Sequence, residues 1–216
     1  ITWPFEDEES GCLREAALPQ WLSPLAAQNA LAVGPGLGRH PDTGGLVRRL
    51  LREMKQPMVL DADGLNLCTD YLDLLQNYQG ALILTPHPGE LSRLTGLTTA
   101  KILTRPVEVA AEWAVKLGQL LVLKGGPTVI AAPDGSVFVN STGNPGMATA
   151  GAGDVLTGLI AGLLAQGLAP IDAALCGVWL HGAAGDRARE RRGEMGMIAG
   201  DLLDALPDAL RGVLHP

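Results

Sequence analysis

Only three cysteines occur in the 216 residues, Cys12, Cys68 and Cys176, and none falls in a C-x-x-C. An odd, scattered set suits neither a disulfide framework nor a zinc site, and reads as reduced thiols in a cytoplasmic protein. Basic residues are in short supply too: 16 Lys and Arg stand against 23 Asp and Glu, a formal net charge of −7. That balance argues against nucleic acid or an anionic membrane as partner, while leaving room for a local basic pocket. The acidic start, Ile1 to Ser10, has no basic n-region and so is no signal peptide. An initiator Met is lacking as well, which fits a fragment of a longer protein. From Val155 to Ile171 no residue is charged. This run falls short of the roughly 20 residues of a membrane span and contains Gly158, Gly162, Gly167 and Pro170. A buried helix is expected there.

Glycine is what the chain has in excess. Its 28 Gly are about 13% of the residues, against roughly 7% in an average chain. No three-residue period runs through them, so collagen is excluded. With 47% hydrophobic and 18% charged residues the chain has ample apolar material to fold as a domain. The excess must therefore sit at particular places.

Residues 1–29 read as an acidic lead-in with one short helix, and 30–216 as a domain. Short apolar runs then alternate with helical patterns: Ala30–Val33, Met58–Leu60, Ala81–Leu84 and Leu120–Leu123. Such runs predict parallel strands buried on both faces. One helix is expected from Leu65 to Leu75 and another from Val107 to Leu117. Thr128–Ala132 and Ser136–Val139, joined through Pro133-Asp-Gly135, predict a hairpin. A polar loop and three helical stretches complete a three-layer α/β domain. Each apolar run ends in glycine or in a Pro/Asp/His-rich loop, and parallel sheets bind ligands beyond the carboxyl ends of their strands.

The sharpest segment is Asn144-Pro-Gly-Met-Ala-Thr-Ala-Gly-Ala-Gly-Asp154, opening a helix near Gly151. Unpaired amides and the positive end of the helix dipole make an anion site suited to phosphate. Asp154 either complements that dipole or accepts a proton from a hydroxyl while the amides hold a transferring phosphoryl group. Lys124-Gly-Gly-Pro-Thr128 follows a strand and reads as a nucleotide-phosphate contact, although no P-loop pattern is present. Gly34-Pro-Gly-Leu-Gly38 lacks the spacing of a dinucleotide fingerprint. His87 stands between two prolines, and Glu90 suits either a helix cap or a metal neighbourhood. Asp61, Asp63 and Asn66 either line the pocket or form an Asx turn. His181 and Trp113 read as core, and Gly158 and Gly162 as a close helix-packing pair.

Together, Gly34–Gly38, Asp61–Asn66, Thr85–Glu90, Lys124–Thr128 and Gly143–Asp154 resemble the ADP/ATP-dependent NAD(P)H-hydrate dehydratases, a branch of the ribokinase-like superfamily. The resemblance runs from about residue 30 to the C-terminus. It implies a ribokinase-like fold and repair of NADHX and NADPHX, by phosphorylating the ring hydroxyl from ADP (or ATP) and eliminating phosphate. Carried over by motif, Gly36, His87 and Asp154 contact the hydrate. Lys124, Gly125, Gly126, Pro127 and Thr128 hold the nucleotide with Gly153. Asp154 is the base and Gly151, Ala152 and Gly153 form the anion hole. Mg²⁺ is expected, with Glu90 as the local candidate, as is a homo-oligomer. The strand-helix segment that family members carry ahead of the first glycine loop is not seen before Gly34, so the domain is expected to be truncated. An NAD(P)H-hydrate epimerase domain is the expected upstream neighbour. The rival readings are a ribokinase-like vitamin-precursor kinase and an inactive nucleotide-binding fragment.

Overall fold

Four of the six strands among the described residues are the apolar runs of the sequence: β1 (Leu31–Val33), β2 (Met58–Leu60), β3 (Leu82–Leu84) and β4 (Leu120–Leu123). They are part of a computed structural model that describes residues 11–214, with side chains through Gly212. β1 to β4 pair in parallel. The expected hairpin follows as β5 (Val129–Ala131), antiparallel to β4, and β6 (Val137–Val139), antiparallel to β5. Its turn is set locally: Asp134 Oδ1 accepts the Ser136 N–H at 2.8 Å, and Gly135 adopts φ +90°. The result is one sheet in sequential order, β1 to β6.

Sequential parallel order with crossovers of one hand puts every connecting helix on the same face. These helices are α2 (Pro41–Glu53), α3 (Ala62–Asn66), α4 (Leu72–Gln76), α5 (Pro88–Thr95), α6 (Thr99–Thr104) and α7 (Pro106–Leu117). Met58, Leu60, Leu82, Leu84, Leu121 and Leu123 point into the core they share with Leu50, Leu91 and Trp113. The alternate residues, Val59, Ile83, Leu120 and Val122, face the opposite side. There they meet Ile160 of α8 (Ala152–Ala165) and Val178 of α9 (Pro170–Arg192). Each such side chain contributes roughly 1.5–3 kcal/mol on burial. A last helix, α10 (Ala199–Leu214), packs Leu202, Ala205 and Ala209 against Leu180 and Ala184 of α9. Ahead of the sheet, α1 (Pro19–Ala26) follows the fully buried Leu18.

Three expectations change. β1 is not buried on both faces: Leu31 is buried, Ala32 exposed and Val33 intermediate, because among the described residues β1 forms an edge of the sheet. The helix expected over Leu65–Leu75 is two, α3 and α4, broken at Leu67–Tyr71. Gly158 and Gly162 are not a packing pair, since a Cβ at either would meet open space. The close contact between α8 and α9 is made instead at Gly177, where a Cβ would come within 2.6 Å of Ile160.

Candidate active site

The loops beyond β1 to β4 converge with the start of α8. After β1 the chain turns at Gly34, with φ +137°. A Cβ there would fall on the carbonyl oxygen of Asp61, so only glycine lets the two strand ends meet. Asp63 pins the rest of the loop: Oδ2 accepts the Gly38 N–H at 3.1 Å and Oδ1 pairs with Arg39 Nε at 3.0 Å. Asn66 Nδ2 donates to the same Oδ1 and Asn66 Oδ1 accepts from Arg93, extending the network along the rim. Gly36 stays exposed at the tip.

Asp61 ends β2 and is 1% exposed. Its Oδ1 accepts from Lys124 Nζ at 2.6 Å and its Oδ2 from Thr157 Oγ1 of α8 at 2.8 Å. One carboxylate thus joins β2, the end of β4 and the second turn of α8. Ala62, the next residue, is held at φ +48°, a conformation that non-glycine residues adopt at a cost of order 1–3 kcal/mol.

Lys124 also lies 3.7 Å from Glu90 Oε2. Glu90 and His87 form a reciprocal cap on α5. His87 Nδ1 accepts the N–H groups of Gly89 and Glu90, at 2.9 and 3.3 Å, and Glu90 Oε2 accepts the His87 N–H at 2.8 Å. Burial holds the His87 pKa below its ordinary value and Lys124 adds to this, while Glu90 opposes it. With Nδ1 accepting, the proton of the neutral ring sits on Nε2, on a side chain half exposed at the site.

Above this group stands the start of α8. Gly151, in the left-handed region at φ +84°, is its N-cap, and no side chain caps it. The Ala152 N–H turns back to the Thr149 carbonyl at 3.3 Å, and the Gly153 and Asp154 amides are left to face outward with the positive helix dipole. A Cβ on Gly153 would lie 3.4 Å from Lys124 Nζ and 3.8 Å from Asp61 Oδ2. The bare amides and the partly buried lysine are thus adjacent, and Asp154 is exposed in the same first turn. Outward amides beside an ammonium suit an anion such as phosphate, and a carboxylate stands at the edge.

The structure brings His87, Lys124, Gly151, Ala152, Gly153 and Asp154 into this region. The remaining members of the expected nucleotide loop, Gly125, Gly126 and Pro127, are exposed, and Thr128 Oγ1 turns back to the Gly125 carbonyl at 3.2 Å. The reading of Asp61 is sharpened: it is a buried acceptor for Lys124 and Thr157 and makes no cap hydrogen bond. Its signal in the sequence was an Asp closing an apolar run, which does not reveal its partners 63 and 96 residues away. Glu90 serves as a cap. Among the described residues no group of three or more His, Cys, Asp and Glu is placed to hold a metal ion. The side chains therefore do not fit a protein-built Mg²⁺ cage, and a Mg²⁺ that keeps its waters and rides on phosphates needs none. No helix among the described residues is long and apolar enough to cross a membrane.

Comparison with known proteins places these features in context. A family profile described as NAD(P)H-hydrate dehydratase matches residues 9–208. The bifunctional NAD(P)H-hydrate repair enzyme Nnr of Moorella thermoacetica is 52% identical over 213 residues, covering 99% of this chain and 40% of that protein. The ADP-dependent (S)-NAD(P)H-hydrate dehydratase of Neisseria meningitidis is 42% identical over 181 residues, covering 82% of this chain and 61% of its own length. This chain thus spans less than two thirds of either relative. Among solved structures, the Bacillus subtilis ADP/ATP-dependent NAD(P)H-hydrate dehydratase co-crystallised with ATP/Mg²⁺ and soaked with CoA superposes with a TM-score of 0.77 at 33% identity, over 91% of this chain and 76% of that one. A ribokinase-like superfamily protein from Enterococcus faecalis gives 0.79 at 28% identity, over 94% and 69%. The fold is ribokinase-like.

Proposed function

The chain belongs to the NAD(P)H-hydrate dehydratase family, and from that premise we propose that it serves ADP-dependent dehydration of NADHX and NADPHX. Asp154 takes the proton of the ring hydroxyl, whose oxygen attacks the terminal phosphorus of ADP. The bond from that phosphorus to the bridging oxygen breaks, and AMP leaves. Phosphate then departs with the electrons of the ring C–O bond, and loss of a proton from the adjacent ring carbon restores NADH or NADPH.

The observation that carries this reading is the stack of Gly153 over Lys124 and Asp61. Amides and an ammonium act together where negative charge gathers on the transferring group, which is the requirement of phosphoryl transfer. His87, through Nε2–H, and Gly36, at the exposed loop tip, are assigned to the hydrate. Lys124, Gly125, Gly126, Pro127 and Thr128 are assigned to the nucleotide together with Gly153. ATP is an alternative donor with the same terminal chemistry, and Mg²⁺ enters on the phosphates. The proposed catalytic unit is residues 30–216, acting in the cytoplasm as a homo-oligomer. The bifunctional relatives support an NAD(P)H-hydrate epimerase domain as its partner in a longer protein.

Incubation with NADHX and ADP tests this: NADH and AMP are expected to appear in equal amounts. A phosphorylated hydrate that accumulates without NADH would make the protein a kinase instead. Asp154→Asn is expected to cost on the order of 10²–10⁴-fold in turnover, with ADP affinity nearly unchanged. Near-normal turnover of that variant would remove Asp154 as the base.

A further inference from the structure

One partly buried titratable group beside the site takes no part in these steps. His181 lies on α9, and burial pushes its imidazole pKa down to about 4, with a smaller contribution in the same direction from Lys124. It is therefore neutral at neutral pH and carries a single N–H. Its Nε2 lies 2.9 Å from the carbonyl oxygen of Ala152. A carbonyl only accepts, so Nε2 is the protonated nitrogen and His181 donates.

Ala152 is the first residue of α8, and its carbonyl shares one peptide unit with the N–H of Gly153. A trans peptide is planar, so holding the oxygen on one side fixes the direction of the N–H on the other. The Gly153 N–H belongs to the amides above Lys124. The same stretch of α9 also holds the loop that leads into them. Thr142 Oγ1 donates to the Trp179 carbonyl at 2.9 Å. Asp186 accepts from the Gly143 N–H at 2.9 Å and from Asn144 Nδ2 at 3.0 Å. Gly182 and Gly185 let that loop approach closely, since a Cβ on either would clash with Thr142 or Met147. Among these contacts His181 is the one that reaches the cradle itself.

We propose that His181 is a positioning residue that aims the Gly153 N–H at the transferring phosphoryl group by holding the Ala152–Gly153 peptide plane. The inference rests on the phosphoryl-transfer reading of the site, and its test includes a measurement independent of turnover. His181→Leu removes the donor and His181→Gln restores one at similar reach. Misdirecting one anion-hole donor is expected to lower kcat by roughly 10–100-fold in the Leu variant, somewhat less than outright removal of such a donor. The KM for ADP, held mainly by the Lys124–Thr128 loop, stays within about twofold, and the Gln variant recovers kcat to within about threefold on the same argument. In parallel, calorimetric binding of inorganic phosphate weakens about tenfold in the Leu variant and is retained in the Gln variant, as the loss of one aimed donor requires.

A Leu variant with wild-type kcat and phosphate affinity would overturn the proposal. So would a Gln variant no better than Leu, because packing alone would then account for the residue. If the Leu variant does not fold, as thermal melting reports, His181→Asn takes its place, its amide too short to reach Ala152. A parent protein that binds phosphate in this His181-dependent way yet turns over no hydrate would refute the dehydratase reading and leave the positioning role standing.

Discussion

Replacing Asp61 by Asn keeps the shape of the side chain and deletes the charge on which two donors converge. Lys124 has only donors, so the amide oxygen of Asn must face it, at the place where Oδ1 now sits 2.6 Å away. The amide nitrogen then faces Thr157, whose hydroxyl can turn to accept, so that contact survives. Lys124 loses its nearer carboxylate and keeps Glu90 at 3.7 Å. Breaking a buried pair by removing one charge costs about 3–5 kcal/mol. Here Lys124 is 20% exposed and a second carboxylate remains, which puts the expected loss at about 2–3 kcal/mol, below that range. Urea unfolding should show it as a lower midpoint with an unchanged slope. Lys124→Met in the Asp61→Asn background should recover much of the loss, giving a coupling energy of about 2 kcal/mol in the double-mutant cycle. A loss under about 0.5 kcal/mol, or additive single effects, would show that the pair is not what joins β2, β4 and α8.

Further outcomes follow from the same geometry. Gly153→Ala places a methyl group in ordinary contact with Lys124 Nζ, at 3.4 Å, but on the face an anion must approach. Turnover should fall about 100-fold while the urea midpoint holds or rises, because alanine favours the helix; a fully active variant would refute the cradle. Gly158→Ala and Gly162→Ala fill open space within α8 and should each stabilise the fold by about 0.5–1 kcal/mol, whereas destabilisation would revive the packing reading that the structure contradicts. His181 has its pKa at about 4 in the fold against an ordinary 6.5, so below pH 6.5 the unfolded chain binds the extra proton first. Stability should therefore decline as pH falls from about 6.5 to about 4, by about 3 kcal/mol relative to His181→Gln; parallel pH profiles for the two proteins would contradict the partly buried, neutral imidazole.

Much of the molecule was legible because its signals are local. An apolar run such as Met58–Leu60 with glycine or Asp after it, and Pro133-Asp-Gly135 between two β-rich segments, state strand and turn within a few residues. The Gly-Ala-Gly-Asp154 segment states a helix start with no side-chain cap, because that too is a local feature. The exposure of β1 was not legible, since edge or centre depends on which strands lie beside it. Nor was the fate of the glycines: Gly158 and Gly162 look like a packing pair, yet Gly177 makes the contact, because helix rotation against the sheet decides which face meets a neighbour. The composition, the strand runs and the glycine-rich start of α8 were thus determined by the sequence on its own. Only the tertiary structure brought Asp61 to Lys124 and Thr157, and His181 to Ala152. Those contacts join residues 29 to 96 positions apart, and sheet order and helix packing, not local propensity, set such distances.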